Sequence, residues 1–229
     1  MSLPALPSAV IFDMDGLMLD TEPLAARAWT AAAQAIGITF DEAIAPHLVG
    51  RNFADCRTLI RDHHGELYPT DALMQHWHAA YDDIVAREGI VLKAGLGELL
   101  DWLEAHALRK AVATSTRRSR AMAKLVHTGL LDRFAAVVGG DDVERGKPEP
   151  DIFLEAAARI RAAPHECVVL EDSLPGVCAA LAGGMRTIMV PDLPTPPGAH
   201  VPHGVIVMSS LHEVRAHFAA LAAGLPRAS

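Results

Sequence analysis

A chain of 229 residues, 51% of them hydrophobic, can bury a sizeable core as one large domain or as a core carrying an insert. Its formal net charge of −8 argues against a nucleic-acid partner, which would need a basic face. No apolar run approaches a membrane span, and the opening MSLPALPSAV has no basic segment ahead of its proline-broken apolar residues, so neither a membrane partner nor a signal peptide is expected. The three cysteines, Cys56, Cys167 and Cys178, are odd in number and lack CxxC spacing. Free thiols in a reducing compartment follow, so a cytoplasmic location is expected, and a monomer.

In chain order, the first predicted element is the strand Ser8–Phe12 (SAVIF), which runs into DMDG. There Asp13 and Asp15 stand two residues apart ahead of Gly16, and carboxylates so close repel unless a cation, a reaction or solvation offsets them. From Glu22 to Arg87 the pattern is helical. Pro23 suits a first turn, Ala25, Trp29, Ala32 and Ile36 share a face, and Gly37 suits the stop. Further helices are predicted over Asp41–His47, Asn52–His64 and Asp71–Glu88. Leu96, Leu99, Leu100 and Leu103 then recur at helical spacing within AGLGELL and beyond. That stretch is no dinucleotide fingerprint, because it lacks the preceding strand and a third glycine in register. Strands are predicted at Lys110–Thr114, Ala135–Gly139, Cys167–Glu171 and Thr187–Val190, with Ile152, Phe153, Ala156 and Ile160 marking a helix between them. The proline-rich Pro191–Gly204 reads as a loop leaving the last central strand.

Alternating strands and helices give an α/β fold, a doubly wound, Rossmann-like parallel sheet. The strandless stretch makes the core discontinuous: residues 1–20 and 89–229 form the α/β core, and 21–88 a helical insert.

In such a sheet ligands gather beyond the carboxyl ends of the strands. Those ends carry Asp13 and Asp15, Thr114 and Ser115, Lys147, and Glu171 with Asp172. Singly each has an ordinary explanation: a solvated acidic loop, helix caps for segments starting near Arg117 or Pro175, a surface lysine. Together, at successive strand ends, they describe one site. Hard oxygen ligands with room for water favour magnesium there. GDDVERGKPEP is not a P-loop, since Gly140 lies one residue too far from GK and Pro148 replaces the Ser or Thr that would hold the metal. A phosphorelay receiver would carry its aspartate on a later strand and has no place for the insert. His76 and His78, two apart on a predicted helix, diverge by about 200° and do not share a ligand face. His63 and His64 complete the histidines of that segment that invite a metal reading.

The chain resembles the haloacid dehalogenase superfamily of phosphotransferases, in the group with a small helical cap after the first strand, related to β-phosphoglucomutases and sugar-phosphate phosphatases. DMDGLMLDTE, VATS, GKPEPDIF and VVLEDSLPGV match the four motifs in order, with the cap in the expected place. The resemblance implies a magnesium-dependent phosphatase acting on a small phosphorylated metabolite through an aspartyl phosphate. Asp13 is then the nucleophile, and Asp15 the general acid, protonated at the start, and later the base. Thr114, Ser115 and Lys147 hold the phosphoryl group. Asp13, Asp172 and the backbone carbonyl of Asp15 form the metal site, with Glu171 as ligand or behind the ligands. Glu22, Arg51 and Thr116 are candidate substrate contacts. The alternative is a β-phosphoglucomutase-type isomerase, which the resemblance weakens because Ala25 stands where such relatives carry a cap histidine. A non-catalytic binding module is the remote alternative. No lysine occurs in the cap, which disfavours phosphonate cleavage. Hinges are expected near Leu19–Thr21 and Gly89–Ala94.

Overall fold

The computed structural model describes residues 3, 5–48, 51, 53–192 and 200–224. Six parallel strands form one sheet: β1 (Ala9–Phe12), β2 (Arg109–Ala113), β3 (Ala136–Val138), β4 (Cys167–Glu171), β5 (Arg186–Met189) and β6 (Ile206–Val207), in the order β3-β2-β1-β4-β5-β6. β1 is central, pairing Phe12 with Val112 on one side and with Leu170 on the other. Chain order reverses at β1, which opens a crevice where the carboxyl ends of β1, β2 and β4 meet. The strand predicted at Cys167–Glu171 coincides with β4, the other four differ from the observed ones by one residue at one or both ends, and β6 has no predicted counterpart. Two residues carry too little periodicity to be read.

Nine helices accompany the strands among the described residues: α1 (Glu22–Ala35), α2 (Ala45–Leu48), α3 (Phe53–His64), α4 (Thr70–Glu88), α5 (Leu96–Ala105), α6 (Arg118–His127), α7 (Asp151–Arg159), α8 (Leu174–Ala182) and α9 (Leu211–Ala222). Strand alternation divides them between two layers. Val10, Phe12, Val112, Val168, Leu170 and Ile188 face the apolar stripes of α5, α6 and α9. Ala9, Ile11, Ala111, Val138 and Val169 face α7 and α8. Both faces are therefore covered, which is why the central strands read as unbroken apolar runs.

The helices α1 to α4 have apolar clusters of their own. Trp29, Ala32, Phe40, Ile60 and Leu73 form one, and Leu24, Ala28, Tyr81 and Ile84 another. The helix predicted over Asp41–His47 is instead a 3-10 turn, Glu42–Ile44, continuing into α2. Asn52, the predicted start of α3, lies outside the described residues, as do residues 193–199 of the proline-rich stretch. The two connections to the sheet run side by side: Leu19 and Leu92 form an antiparallel bridge, Asp20 N donates to Val91 O (2.9 Å), and Lys93 N donates to Met18 O (2.9 Å).

Candidate active site

The carboxyl end of β1 delivers Asp13 into a buried cluster. Its amide donates to Leu170 O at 3.0 Å, so the residue is still held in the sheet as its side chain emerges. Lys147, 1% exposed, sits in the loop after β3. Its ammonium bonds Asp13 Oδ1 and, at 2.6 Å, Glu171 Oε1, while lying 4.9 Å from the centre of the Phe153 ring. Burial alone would lower the lysine pKa, but Asp13 and Glu171 outweigh it and hold the ammonium above the ordinary lysine value. Lys147 is thus a fixed positive charge buried under the site.

The last residue of β4, Glu171, is spent on architecture. Oε2 accepts from Ser173 N (2.6 Å) and Ser173 Oγ (2.9 Å), and Oε1 accepts from Lys147. Ser173 also caps α8, accepting from Gly176 N at 3.3 Å. Gly176 has to be glycine, because a Cβ there would lie 1.7 Å from Glu171 Oε1. Asp172 differs from Glu171: it is buried, and its Oδ1 has no hydrogen-bond partner. Burial, then Glu171 and Asp13, push its carboxyl well above the usual range. Asp13 is raised by the same means, burial first, to about 8 despite Lys147.

Asp13, Glu171 and Asp172 present oxygens within 4.8 Å of one another, the one such acidic group among the described residues. Three observations fit a hard divalent cation. Donors are all carboxylate oxygen, one oxygen of Asp172 is buried without a partner, and Gly16 at φ +84° leaves the space that a Cβ, 2.3 Å from Asp172 Oδ2, would fill.

Asp15 points elsewhere. Oδ1 accepts from Thr21 Oγ1 (2.9 Å) and Lys124 Nζ (2.6 Å), and Oδ2 from Thr116 Oγ1 (2.7 Å). Its carboxylate therefore lies outside the acid cluster, leaving the backbone carbonyl as what Asp15 offers a metal. Burial pushes its pKa up, but Lys124 and the two threonine hydroxyls outweigh it and hold the carboxyl below the ordinary value. Lys124, a buried cation that the sequence reading did not single out, faces Asp15 and favours its ionised form in this arrangement, so the acid role expected for Asp15 requires that it take up a proton when substrate binds.

Thr114 directly follows β2 and is buried, its Oγ1 accepting from Thr116 N at 3.1 Å. It is not a cap for α6; Asp141 fills that role by accepting from Arg118 N at 2.6 Å. Ser115 follows, with Gly140 packed so close that a Cβ would meet Ser115 O at 2.3 Å. A cleft of about 1120 Å³ opens above these residues, walled on one side by Asp13, Asp15, Thr114–Thr116 and Lys124 and on the other by the α1–α4 segment, including Glu22, Ala25, Arg51, Trp77 and Tyr81. Glu22 opens α1. Burial, with Asp15 and Asp192 nearby, pushes its carboxyl up to about 7. Arg51 donates from Nε to His47 O at 3.1 Å. Ala25 brings no polar group to the wall it lines. His76 bonds the Ala72 carbonyl of its own helix, whereas His78 stacks on Phe53 at 4.4 Å, so the two side chains part as the helical geometry requires.

Thr21, Tyr81 and Lys124 escaped the sequence reading. A signal for Lys124 existed: it is one of four lysines in the chain, and it lies four residues after Arg120 on a helix, hence on the face that looks into the cleft.

Residues 7–184 match a family model described as haloacid dehalogenase-like hydrolase. A bifunctional riboflavin kinase/FMN phosphatase of Arabidopsis thaliana is 32% identical over 196 residues, 84% of this chain and 51% of that protein, so the chain spans about half its length. A phosphorylated carbohydrates phosphatase of Thermotoga maritima is 32% identical over 182 residues, 79% of this chain and 83% of that one. The crystal structure of CbbY from Rhodobacter sphaeroides in complex with phosphate superposes with a TM-score of 0.78 at 26% identity, covering 91% of this chain and 96% of that chain. On this evidence the chain belongs to the haloacid dehalogenase-like hydrolases.

Proposed function

We propose that this hydrolase, a phosphoric monoester phosphatase by its relatives, cleaves small phosphorylated metabolites, a sugar phosphate or nucleotide-like ester, with Asp13 as nucleophile. The observation that carries the reading is the buried set of Asp13, Lys147, Glu171 and Asp172 at the strand ends, with Asp15 two residues on and tied to separate donors. Asp13 and Asp172, with the Asp15 carbonyl, would hold magnesium, and Glu171 would stand behind them because both its oxygens are bonded. Bound there, the cation supplies positive charge to the transferring phosphoryl group and keeps Asp13 ionised.

An Asp13 oxygen forms a bond to phosphorus as the ester oxygen leaves, and Asp15, once it has taken up a proton as the anionic ester binds beside it, gives that proton to the leaving oxygen. Asp15, now a carboxylate, takes a proton from water. The water oxygen attacks phosphorus, the bond to Asp13 breaks, and inorganic phosphate departs. Lys147 offsets the charge that Asp13 and the phosphoryl oxygens share, and the Thr114 hydroxyl with the Ser115 amide grips the latter. Glu22, Arg51 and Thr116 are the contacts we assign to the leaving group. The α1–α4 segment acts as a cap that excludes bulk water during transfer. The cysteines are free, Cys56 and Cys167 buried and Cys178 exposed, which supports a reducing, cytoplasmic setting; no described helix is long and apolar enough to cross a membrane.

The test is phosphate release from a panel of sugar phosphates and nucleotides with magnesium, scoring isomerised products in the same reactions. Release that EDTA suppresses is expected. Conversion of β-glucose 1-phosphate to the 6-phosphate with little release would contradict the phosphatase reading.

A further inference from the structure

The ammonium of Lys124 lies between two parts of the molecule. On one side it bonds Asp15 Oδ1 at 2.6 Å, and on the other it sits 5.0 Å from the centre of the Tyr81 ring on α4. The side chain is only 12% exposed. Tyr81 is itself fixed, 3% exposed and stacked on Trp77 with ring centres 5.1 Å apart. One turn earlier on α6, Arg120 forms a two-pronged ion pair with Asp82, the residue after Tyr81. The α4–α6 seam is therefore built from two cation contacts in register, and the inner one ends on the carboxylate that handles the proton.

We propose that Lys124 is a positioning residue that aims the Asp15 carboxylate, and that the ring of Tyr81 holds Lys124 there, so that Asp15 is aligned only while α4 is seated on α6. The argument is geometric. Asp15 has three donors from three places: Thr21 at the first connection, Thr116 after β2, and Lys124 on α6. Two are neutral hydroxyls, whereas the third is a charged donor in a site with little water, where such a bond is about twice as strong. A lysine stem is flexible, so its head needs a second contact to be fixed. An aromatic face supplies that attraction without competing for the ammonium's hydrogen bond to Asp15. Movement of α4 removes the face and leaves the ammonium free to swing.

This inference rests on Asp15 acting as the acid in a phosphatase, and the experiment separates the two. A general acid matters in proportion to the basicity of the leaving oxygen: an alkoxide needs the proton, whereas p-nitrophenolate departs with little help. The constant kcat/KM covers steps up to transfer onto Asp13, so the later use of Asp15 as base does not enter. Wild type, Lys124→Met, Tyr81→Leu and Tyr81→Phe are compared on p-nitrophenyl phosphate and on the best alkyl ester among glycerol 3-phosphate, fructose 1-phosphate and ribose 5-phosphate, all with magnesium. Lys124→Met is expected to lower the alkyl-to-aryl ratio of kcat/KM by about tenfold or more. Tyr81→Leu should lower it in the same sense, and Tyr81→Phe, which keeps the ring, should lower it less. The double variant Lys124→Met/Tyr81→Leu should be no worse than Lys124→Met, because the two act in series. Equal losses on both esters would make Lys124 a merely structural or phosphate-binding residue and overturn the proposal. A ratio unchanged in both single variants, or raised in Lys124→Met as follows if Lys124 serves only to keep Asp15 ionised, would overturn it too. Should Lys124→Met fail to fold, the Tyr81 pair carries the same comparison. If wild type cleaves neither class of ester, the phosphatase reading itself falls, and this inference with it.

Discussion

Asp13 and Asp15 are neighbours in sequence and opposites in surroundings. Asp13 faces Glu171 and Asp172 as well as Lys147, and burial raises it; Asp15 faces Lys124 and two hydroxyls, which hold it down. These directions run opposite to the proposed roles of nucleophile and acid, so a cation at Asp13 and an anionic ester beside Asp15 would have to reverse them. Asp13→Asn should reduce turnover to background while leaving the fold intact, because the amide keeps the shape but is no nucleophile; steady-state assays with circular dichroism check both halves. Lys147→Met should destabilise the metal-free protein by about 3–5 kcal/mol, since it removes the buried ammonium that bonds Asp13 and Glu171 and leaves their acceptor oxygens unpaired. Urea unfolding measures this.

The acid cluster also sets a pH dependence for metal. The folded value of Asp13, about 8, lies above its ordinary 3.8. The folded state therefore keeps that proton longer than the unfolded chain, and this group makes the metal-free protein lose stability as pH rises across that window. A cation cancels the loss, so the rise in Tm on adding magnesium should grow between about pH 5 and pH 8. Gly16→Ala, whose Cβ would collide with Asp172 Oδ2, should abolish that rise. A pH-independent rise, or one that survives Gly16→Ala, would contradict the assignment of the cation to this cluster.

At the scale of elements, the strand ends do the work, and that much was legible. The apolar runs of β1, β2 and β4 and the polar residues straight after them are local in sequence, so Asp13, Thr114 and Asp172 could be placed around one crevice before any fold was seen. Lys124 and Tyr81 could not be placed, because what joins them to Asp15 is the packing of α4 against α6, a contact between residues 43 positions apart with no local pattern to announce it. The 3-10 turn at Glu42–Ile44 and the short β6 escaped for the opposite reason: they are too brief to show a period. The connections at Leu19 and Leu92 are tied by two backbone hydrogen bonds and by Lys93, which bonds Asp20 at 3.5 Å and forms an ion pair with Asp192. Lys93→Met should speed hydrogen exchange at the amides of Asp20 and Lys93's position about fivefold, equivalent to about 1 kcal/mol of lost restraint. Unchanged exchange there would show that the backbone pairing alone restrains the connections.

For the molecule as a whole, chemistry and selection of substrate belong to different layers. The sheet and its two helical layers fix the acids and Lys147 rigidly, which suits groups that must not move during transfer. The α1–α4 segment has its own apolar clusters and meets the rest through two connections, the α4–α6 seam and the cleft, which suits a part that opens to admit substrate and closes to exclude water. Charge follows the same division: a chain of net charge −8 buries one lysine under its acids and another beside Asp15, so the cleft carries local positive charge despite the acidic total.

The central claim is that the phosphoryl group passes through Asp13, and the most direct measurement traps it there. Turnover of p-nitrophenyl phosphate with magnesium would be quenched in acid within the first turnover, and the protein digested and analysed by mass spectrometry. A phosphorylated peptide spanning Asp13, absent from Asp13→Asn and discharged on longer incubation, is the predicted result. Active wild-type enzyme with no phosphopeptide at any time, or an Asp13→Asn variant that still turns over, would contradict it.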